Sequence, residues 1–322
     1  MVNQKSKIVL SPYLKILRLP NLAIIILSQI MLRYFVIGTF LDLSAMKPVL
    51  SIFNFGLLVL STLLIAAGGY VINDYFDIEI DKQNKPEKRI VGNLIPVKNI
   101  MSFYWALTIP GVIIGFFVAY QVDYFLLGFI FPLVAIMLWY YSSKYQKTIL
   151  WGNLSIALLS ALVIMIVWLF EFFALRSDLI IYIDALKQIK PISFVIGAFV
   201  IFAFLVTLTR EILKDIEDVE GDQKGEYKTL AIVKGKTKAR NVAIFIHVAT
   251  FLFLAVCQYF LYQYEFKLVF WYLMVAVQSL FVFVLYYMVK ANTKDEFHFL
   301  STAMKIIMVA GILSMQIFYI TY

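Results

Sequence analysis

The chain has 322 residues, of which 62% are hydrophobic and only 15% charged, with a formal net charge of +8. A soluble globular chain sits nearer half apolar and a quarter charged, so this composition excludes one and points to a polytopic membrane protein. The single Cys257 excludes an intrachain disulfide and a cysteine metal cluster, and His247 and His298 lack ligand spacing.

The chain opens on a basic arm (Lys5, Lys7, Lys15, Arg18) before a long apolar run. No small-residue cleavage site ends that run early, so it reads as a first spanning helix and not a cleaved signal. Apolar runs then predict nine helices, over 15–38, 51–74, 98–119, 123–142, 151–173, 192–216, 238–262, 267–290 and 299–321. In lipid the backbone must satisfy its own hydrogen bonds, which makes runs of this length helical. The expected architecture is all-α, with residues 1–322 as a single transmembrane domain.

Lys and Arg are distributed unevenly. The N-terminal arm and loops 74–100, 142–150, 210–240 and 290–298 carry 21 of the 28, against 5 near 47, in 176–190 and at 267. Arg33 and Lys305 fall inside predicted spans. Positive charge marks the cytoplasmic side, which places the N-terminus and the long loops on the cytoplasmic face of the cell membrane and the C-terminus outside. The basic excess therefore reports orientation and does not imply nucleic acid.

Two of those loops open on acids. NDYFDIEID begins at Asn73 and KDIEDVEGD at Lys214. Each contains D-x2-D-x3-D: Asp74, Asp77 and Asp81, then Asp215, Asp218 and Asp222. On a continuous helix each triplet falls within an arc of about 60°. Glu79, Glu217 and Glu220 point away from that arc, and Glu211 joins it. Clustered carboxylates repel one another, and hard cations such as Mg²⁺ relieve the repulsion while binding phosphate oxygens. An acid-rich helix end is ordinarily a solvated cap. The same spacing at the ends of two even-numbered helices on one side favours a paired site for a magnesium diphosphate. Lys144, Lys147, Arg210, Lys214, Lys224 and Lys228 supply cations nearby, some of them plain positive-inside charges.

These residues resemble the UbiA superfamily of intramembrane prenyltransferases. NDYFDIEID is similar to its first aspartate motif, and KDIEDVEGD with the following GDQKGEYKTLAIVKGKTKA to its second. RLPN at Arg18–Asn21 resembles the start of the family's first helix, and Tyr141, Lys144, Lys147 and Gly152–Asn153 the segment between its fourth and fifth. The resemblance implies nine helices around a central cavity, with caps formed by the loops after helices 2 and 6. It implies a prenyl diphosphate donor held through Mg²⁺ by Asp74, Asp77, Asp81, Asp215, Asp218 and Asp222. Asn73, Lys144, Lys147 and Arg210 become candidate diphosphate contacts, with Tyr141, Arg18 and Asn21 beside them. The run N-K-P-E-K-R-I-V-G-N after the first motif departs from the family's N-R-P-x-R-P wording, and Gln146 stands where a second Lys is common.

The implied reaction ionises the donor, and a lipophilic acceptor captures the allylic cation. Local wording is most similar to the branch that prenylates geranylgeranylglyceryl phosphate, with a hydroxybenzoate or dihydroxynaphthoate acceptor as the alternative. An oxygen nucleophile needs a base, for which Glu211 and Glu171 are candidates. Glu171 lies near the outer end of helix 5, where an interfacial position is expected. A secondary transporter is the alternative of another class. Its sites would lie at midplane between broken helices, whereas these acids lie at helix ends.

Overall fold

The computed structural model describes residues 12–78 and 90–321. Among them there is no β-strand, and nine helices are long and apolar enough to cross a membrane. They are α1 (Leu19–Asp42), α2 (Ile52–Phe76), α3 (Val97–Gln121), α4 (Phe125–Ser143), α5 (Trp151–Arg176), α6 (Leu179–Glu217), α7 (Lys236–Gln263), α8 (Lys267–Lys290) and α9 (Lys294–Thr321). Helix α2 packs on α3 and α4, and α6 packs on α5, α7 and α9. Many large apolar side chains on the spans, Ile113, Phe245 and Val275 among them, are exposed on the outside of the bundle. Lipid is the solvent that suits them.

Helices in lipid gain little from apolar burial alone, so close packing and interhelical hydrogen bonds hold them together. The α2–α3 contact illustrates both. Ser61 Oγ donates to the Gly111 carbonyl at 2.6 Å. A Cβ on Gly111 would meet Ile65 Cγ1 at 2.9 Å and the Ser61 carbonyl at 3.3 Å, so only glycine permits this approach.

Two expectations are corrected by the fold. Residues 179–190, expected in an outer loop, form the first turns of α6, which runs on through Pro191. Asp178 caps this start, accepting from the amides of Ile180 at 2.8 Å and Ile181 at 3.2 Å. Such a cap contributes about 1 kcal/mol, and the Lys and Pro residues had masked the helical pattern. Glu171, expected at an interface, is fully buried. It accepts hydrogen bonds from the amides of Val49 and Leu50 and faces Arg33 Nη1 at 3.7 Å. Arg33 sits in a π-helical turn of α1 (Leu32–Ile37) and donates to the Leu50 carbonyl. This buried ion pair fastens the loop between α1 and α2 to α5.

Candidate active site

The two aspartate motifs end their helices in the same way. Helix α2 stops at Phe76, and Asp77 caps it with φ −88° and ψ 1°. Helix α6 stops at Glu217, and Asp218 caps it with φ −92° and ψ 3°. Both lie in the bridge region of backbone space, where active-site residues recur. Their amides still bond back to the Asn73 carbonyl at 3.0 Å and the Lys214 carbonyl at 2.9 Å. The expected continuous helical face is therefore corrected: each helix breaks at its middle aspartate, and Asp222 follows on a separate short helix, Val219–Lys224. Like charges three and four residues apart disfavour a continued helix, and Asp is a poor helix former in any case. Asp81 lies outside the described residues.

Asp74, Asp77 and Asp215 are each held by side chains from other parts of the chain, and Asp77 also by one from its own helix. Asn73 Nδ2 donates to Asp77 Oδ2 at 2.5 Å, and Gln146 Nε2 donates to Asp77 Oδ1 at 2.7 Å. The Tyr227 hydroxyl donates to Asp77 Oδ1 at 3.2 Å and accepts from Gln146 at 3.1 Å. Burial, with the Asp77 carboxylate beside it, pushes the Tyr227 phenol well above its ordinary value, so it stays a neutral donor. Asn153 Nδ2 donates to Asp215 Oδ2 at 2.8 Å. Arg18 pairs with Asp74 at 2.8 Å and lies 5.1 Å from the Tyr70 ring centroid. Arg18 itself takes a left-handed backbone conformation, φ 51°, a strain of about 1–3 kcal/mol that turns its side chain toward this cluster.

One glycine makes the Asp77 contacts possible. A Cβ on Gly152 would lie 2.9 Å from the Tyr145 carbonyl oxygen and 3.0 Å from Gln146 Cα. Backbone cannot yield as a flexible side chain can. Gly152 thus lets the turn Tyr145–Lys147 lie against the start of α5, which aims Gln146 at Asp77.

These side chains surround a cavity of about 730 Å³. Asn73, Asp74 and Asp77 line it from the end of α2, and Arg210, Asp215, Asp218 and Asp222 from the end of α6 and beyond. Arg18, Asn21 and Tyr141 also belong to the polar wall. Lys144 and Lys147 are not on the wall. Lys144 is exposed beyond the end of α4, and Lys147 has its amine 5.4 Å from the Tyr227 ring centroid. Gln146, between them, takes the inward position. Glu211 also lines the cavity and pairs with Arg210. Glu171 does not line it, which removes it as a base. Away from the acids the wall turns apolar, with Phe131, Val134, Leu138, Ile164, Met308 and Met315.

Sequence reasoning passed over Gln146 as a departure and did not single out Tyr227. The signal for Tyr227 was a lone aromatic in the charged stretch after the second motif. Lys305, in the sequence only a charge inside a span, also lines the cavity.

The donor set is oxygen-rich and anionic, which suits a hard divalent cation. Among the described residues no three carboxylates, histidines or cysteines converge closely enough to close on one ion. That fits Mg²⁺ when phosphate oxygens and water supply the remaining ligands, the usual way this ion is held.

A polar, carboxylate-walled cavity opens into an apolar interior, an arrangement that fits an amphiphilic ligand inside a membrane. Residues 35–309 match the UbiA prenyltransferase family, and the chain belongs to that family. It is thus an integral membrane prenyltransferase. It is 29% identical over 307 residues to a digeranylgeranylglyceryl phosphate synthase of Methanosphaera stadtmanae, covering 95% of this chain and 98% of the relative. A protein of the same name from Sulfolobus acidocaldarius is 33% identical over 249 residues, with 76% and 78% covered. A solved structure of digeranylgeranylglyceryl phosphate synthase aligns with a TM-score of 0.64 at 25% identity, covering 97% of this chain and 98% of that one. A UbiA homologue from Archaeoglobus fulgidus, solved bound to DMAPP and Mg²⁺, shares the fold with a TM-score of 0.57 at 17% identity, covering 93% and 99%.

Proposed function

We propose that the chain transfers a geranylgeranyl group from its diphosphate to the free hydroxyl of geranylgeranylglyceryl phosphate. The observation that carries this reading is the meeting of both aspartate motifs on one cavity whose far wall is apolar. The names and lengths of the relatives support the choice of acceptor. We read residues 1–322 as one domain, because a single buried cluster draws on helices from α1 to α9.

Asp74, Asp77, Asp215, Asp218 and Asp222, together with Asp81, would hold Mg²⁺ and through it the donor diphosphate. The bound ion supplies charge neutralisation for the departing diphosphate. Asn73, Gln146, Tyr227 and Asn153 fix the carboxylates of Asp77 and Asp215 in place, so little reorganisation is left for the moment of reaction. The C1–O bond breaks with its electron pair leaving on the diphosphate, and the acceptor oxygen bonds to C1. Glu211 is positioned to take the hydroxyl proton, since it lines the cavity beside Arg210. The apolar wall keeps water from the allylic cation.

The excess of Lys and Arg at the motif end supports an orientation with that end cytoplasmic and the Thr321 end of α9 on the opposite side of the cell membrane.

The test incubates purified protein with geranylgeranyl diphosphate, Mg²⁺ and, separately, geranylgeranylglyceryl phosphate, 4-hydroxybenzoate or dihydroxynaphthoate, with products read by mass. An adduct with the glyceryl phosphate alone supports this reading. An adduct with an aromatic acceptor moves the chain to another branch, and none with any acceptor removes the proposal.

A further inference from the structure

We infer that Lys305 forms a seat for the phosphate of the acceptor, separate from the metal-bound place of the donor diphosphate. The inference rests on the transfer reaction proposed above and names how its second substrate is held.

The first observation is an unmatched cation inside the membrane span. A lysine within a span is costly to insert, and such residues mark ligand paths. Lys305 lies on α9 and lines the cavity, as does Lys214 on α6. The arginines of this wall are matched, Arg18 by Asp74 and Arg210 by Glu211. Among the described residues Lys305 makes no ion pair, whereas Lys214 lies within electrostatic reach of Asp215. Lys305 is also within electrostatic reach of three cations, Arg210, Lys214 and Arg18, and of the acid Glu211. A cationic cluster of this kind calls for an anion.

The second observation is depth. Glu217, at the end of α6, bonds His298 Nδ1 at 2.8 Å and accepts from Ser301 Oγ at 3.3 Å on α9. That contact sets the register of the two helices. At 1.5 Å rise per residue, Lys305 lies about 6–10 Å further into the membrane than this contact, and Arg210 about 10 Å. Asp215 lies only about 3 Å in, and Asp218 caps the helix end. Lys305 is therefore below the carboxylates, level with Arg210 and Glu211. A donor whose diphosphate is held at the carboxylates directs its C1 into the membrane. The acceptor must approach from that deeper side, and its phosphate then falls at the level of Lys305. Glu211, at the same level, meets the hydroxyl that the donor will alkylate. Ammonium groups suit a phosphate monoester as compact point charges.

The experiment measures binding to the full-length protein in EDTA without donor, comparing geranylgeranylglyceryl phosphate with geranylgeranylglycerol, which lacks the phosphate. The seat predicts that wild-type protein prefers the phosphate lipid by about 10-fold or more, and that Lys305→Gln abolishes the preference while Lys305→Arg keeps most of it. In turnover, Lys305→Gln should raise KM for the acceptor by about 10-fold and leave KM for the donor within about 2-fold. Folding of each variant is checked by thermal unfolding, and the Arg variant answers the case in which the Gln variant fails to fold. A retained phosphate preference in Lys305→Gln, or equal rises in both KM values, would overturn the inference. Failure of wild-type protein to alkylate the acceptor despite this binding preference would instead overturn the proposed reaction and leave the seat standing.

Discussion

Asn153 donates to Asp215 at 2.8 Å from the position immediately after Gly152, the residue whose missing side chain lets Gln146 reach Asp77. One dipeptide at the start of α5 thus serves both aspartate motifs, which are separated by more than a hundred residues of chain. It couples the two halves of the site through backbone packing on one side and a direct hydrogen bond on the other.

Gly152→Ala should therefore behave as an active-site substitution. The added methyl would meet the Tyr145 carbonyl at 2.9 Å and push the turn away from Asp77. Activity should fall by about 10-fold or more, as expected when a residue orienting a metal ligand is disturbed, with a smaller change in stability. Steady-state rates beside thermal unfolding in detergent check this. Activity unchanged from wild type would separate Gly152 from the site.

Gln146→Leu and Tyr227→Phe each remove a donor from Asp77. Each should weaken Mg²⁺ activation by about 10- to 100-fold, seen as a rise in the Mg²⁺ concentration for half-maximal rate. The Tyr227 phenol is pushed above its ordinary value by burial and by Asp77, so it keeps its proton throughout the working range. Tyr227→Phe should then lower the rate equally at every pH up to about 10, where an ordinary phenol titrates, leaving the profile's shape unchanged. A new or lost inflection below that pH would contradict the assignment.

Glu171 and Arg33 predict a loss of a different kind. Glu171→Ala leaves Arg33 buried without its acid and frees the Val49 and Leu50 amides. Breaking a buried pair costs about 3–5 kcal/mol, so a clear drop in the unfolding midpoint is expected. The pair lies off the cavity wall, so the protein that remains folded should turn over at near wild-type rate. A normal midpoint with lost activity would return Glu171 to the list of candidate bases.

Glu211→Gln should keep donor binding and lose transfer. Removing a positioned base lowers rate by about 100- to 10,000-fold. The loss should fall on O-alkylation of the acceptor, and KM for the donor should change little. Unimpaired transfer would mean that the proton leaves by another route.

Much of the fold was legible because lipid imposes one rule on every span. Nine apolar runs of sufficient length correspond to nine membrane-length helices among the described residues, and the pairing of D-x2-D-x3-D motifs marks one end of the bundle. What escaped were features decided by neighbours distant in sequence. The start of α6 depends on Asp178 capping a stretch whose Lys and Pro residues look like loop. The burial of Glu171 depends on Arg33, from a helix far earlier in the chain. Lys144 and Lys147 carry the charge in this turn, but the turn between α4 and α5 points Gln146 inward. The helix breaks at Asp77 and Asp218 went unseen because spacing alone favours a continuous helical face.

The central claim is that the two motifs make one catalytic site. The measurement is Mg²⁺-dependent release of diphosphate from geranylgeranyl diphosphate, with acceptor present, for Asp77→Ala, Asp218→Ala and the double variant. If both aspartates act on one leaving group, each single variant loses about 100-fold or more, and the double variant is little worse than the weaker single. Losses that multiply in the double variant, or a single variant with wild-type rate, would contradict a shared site.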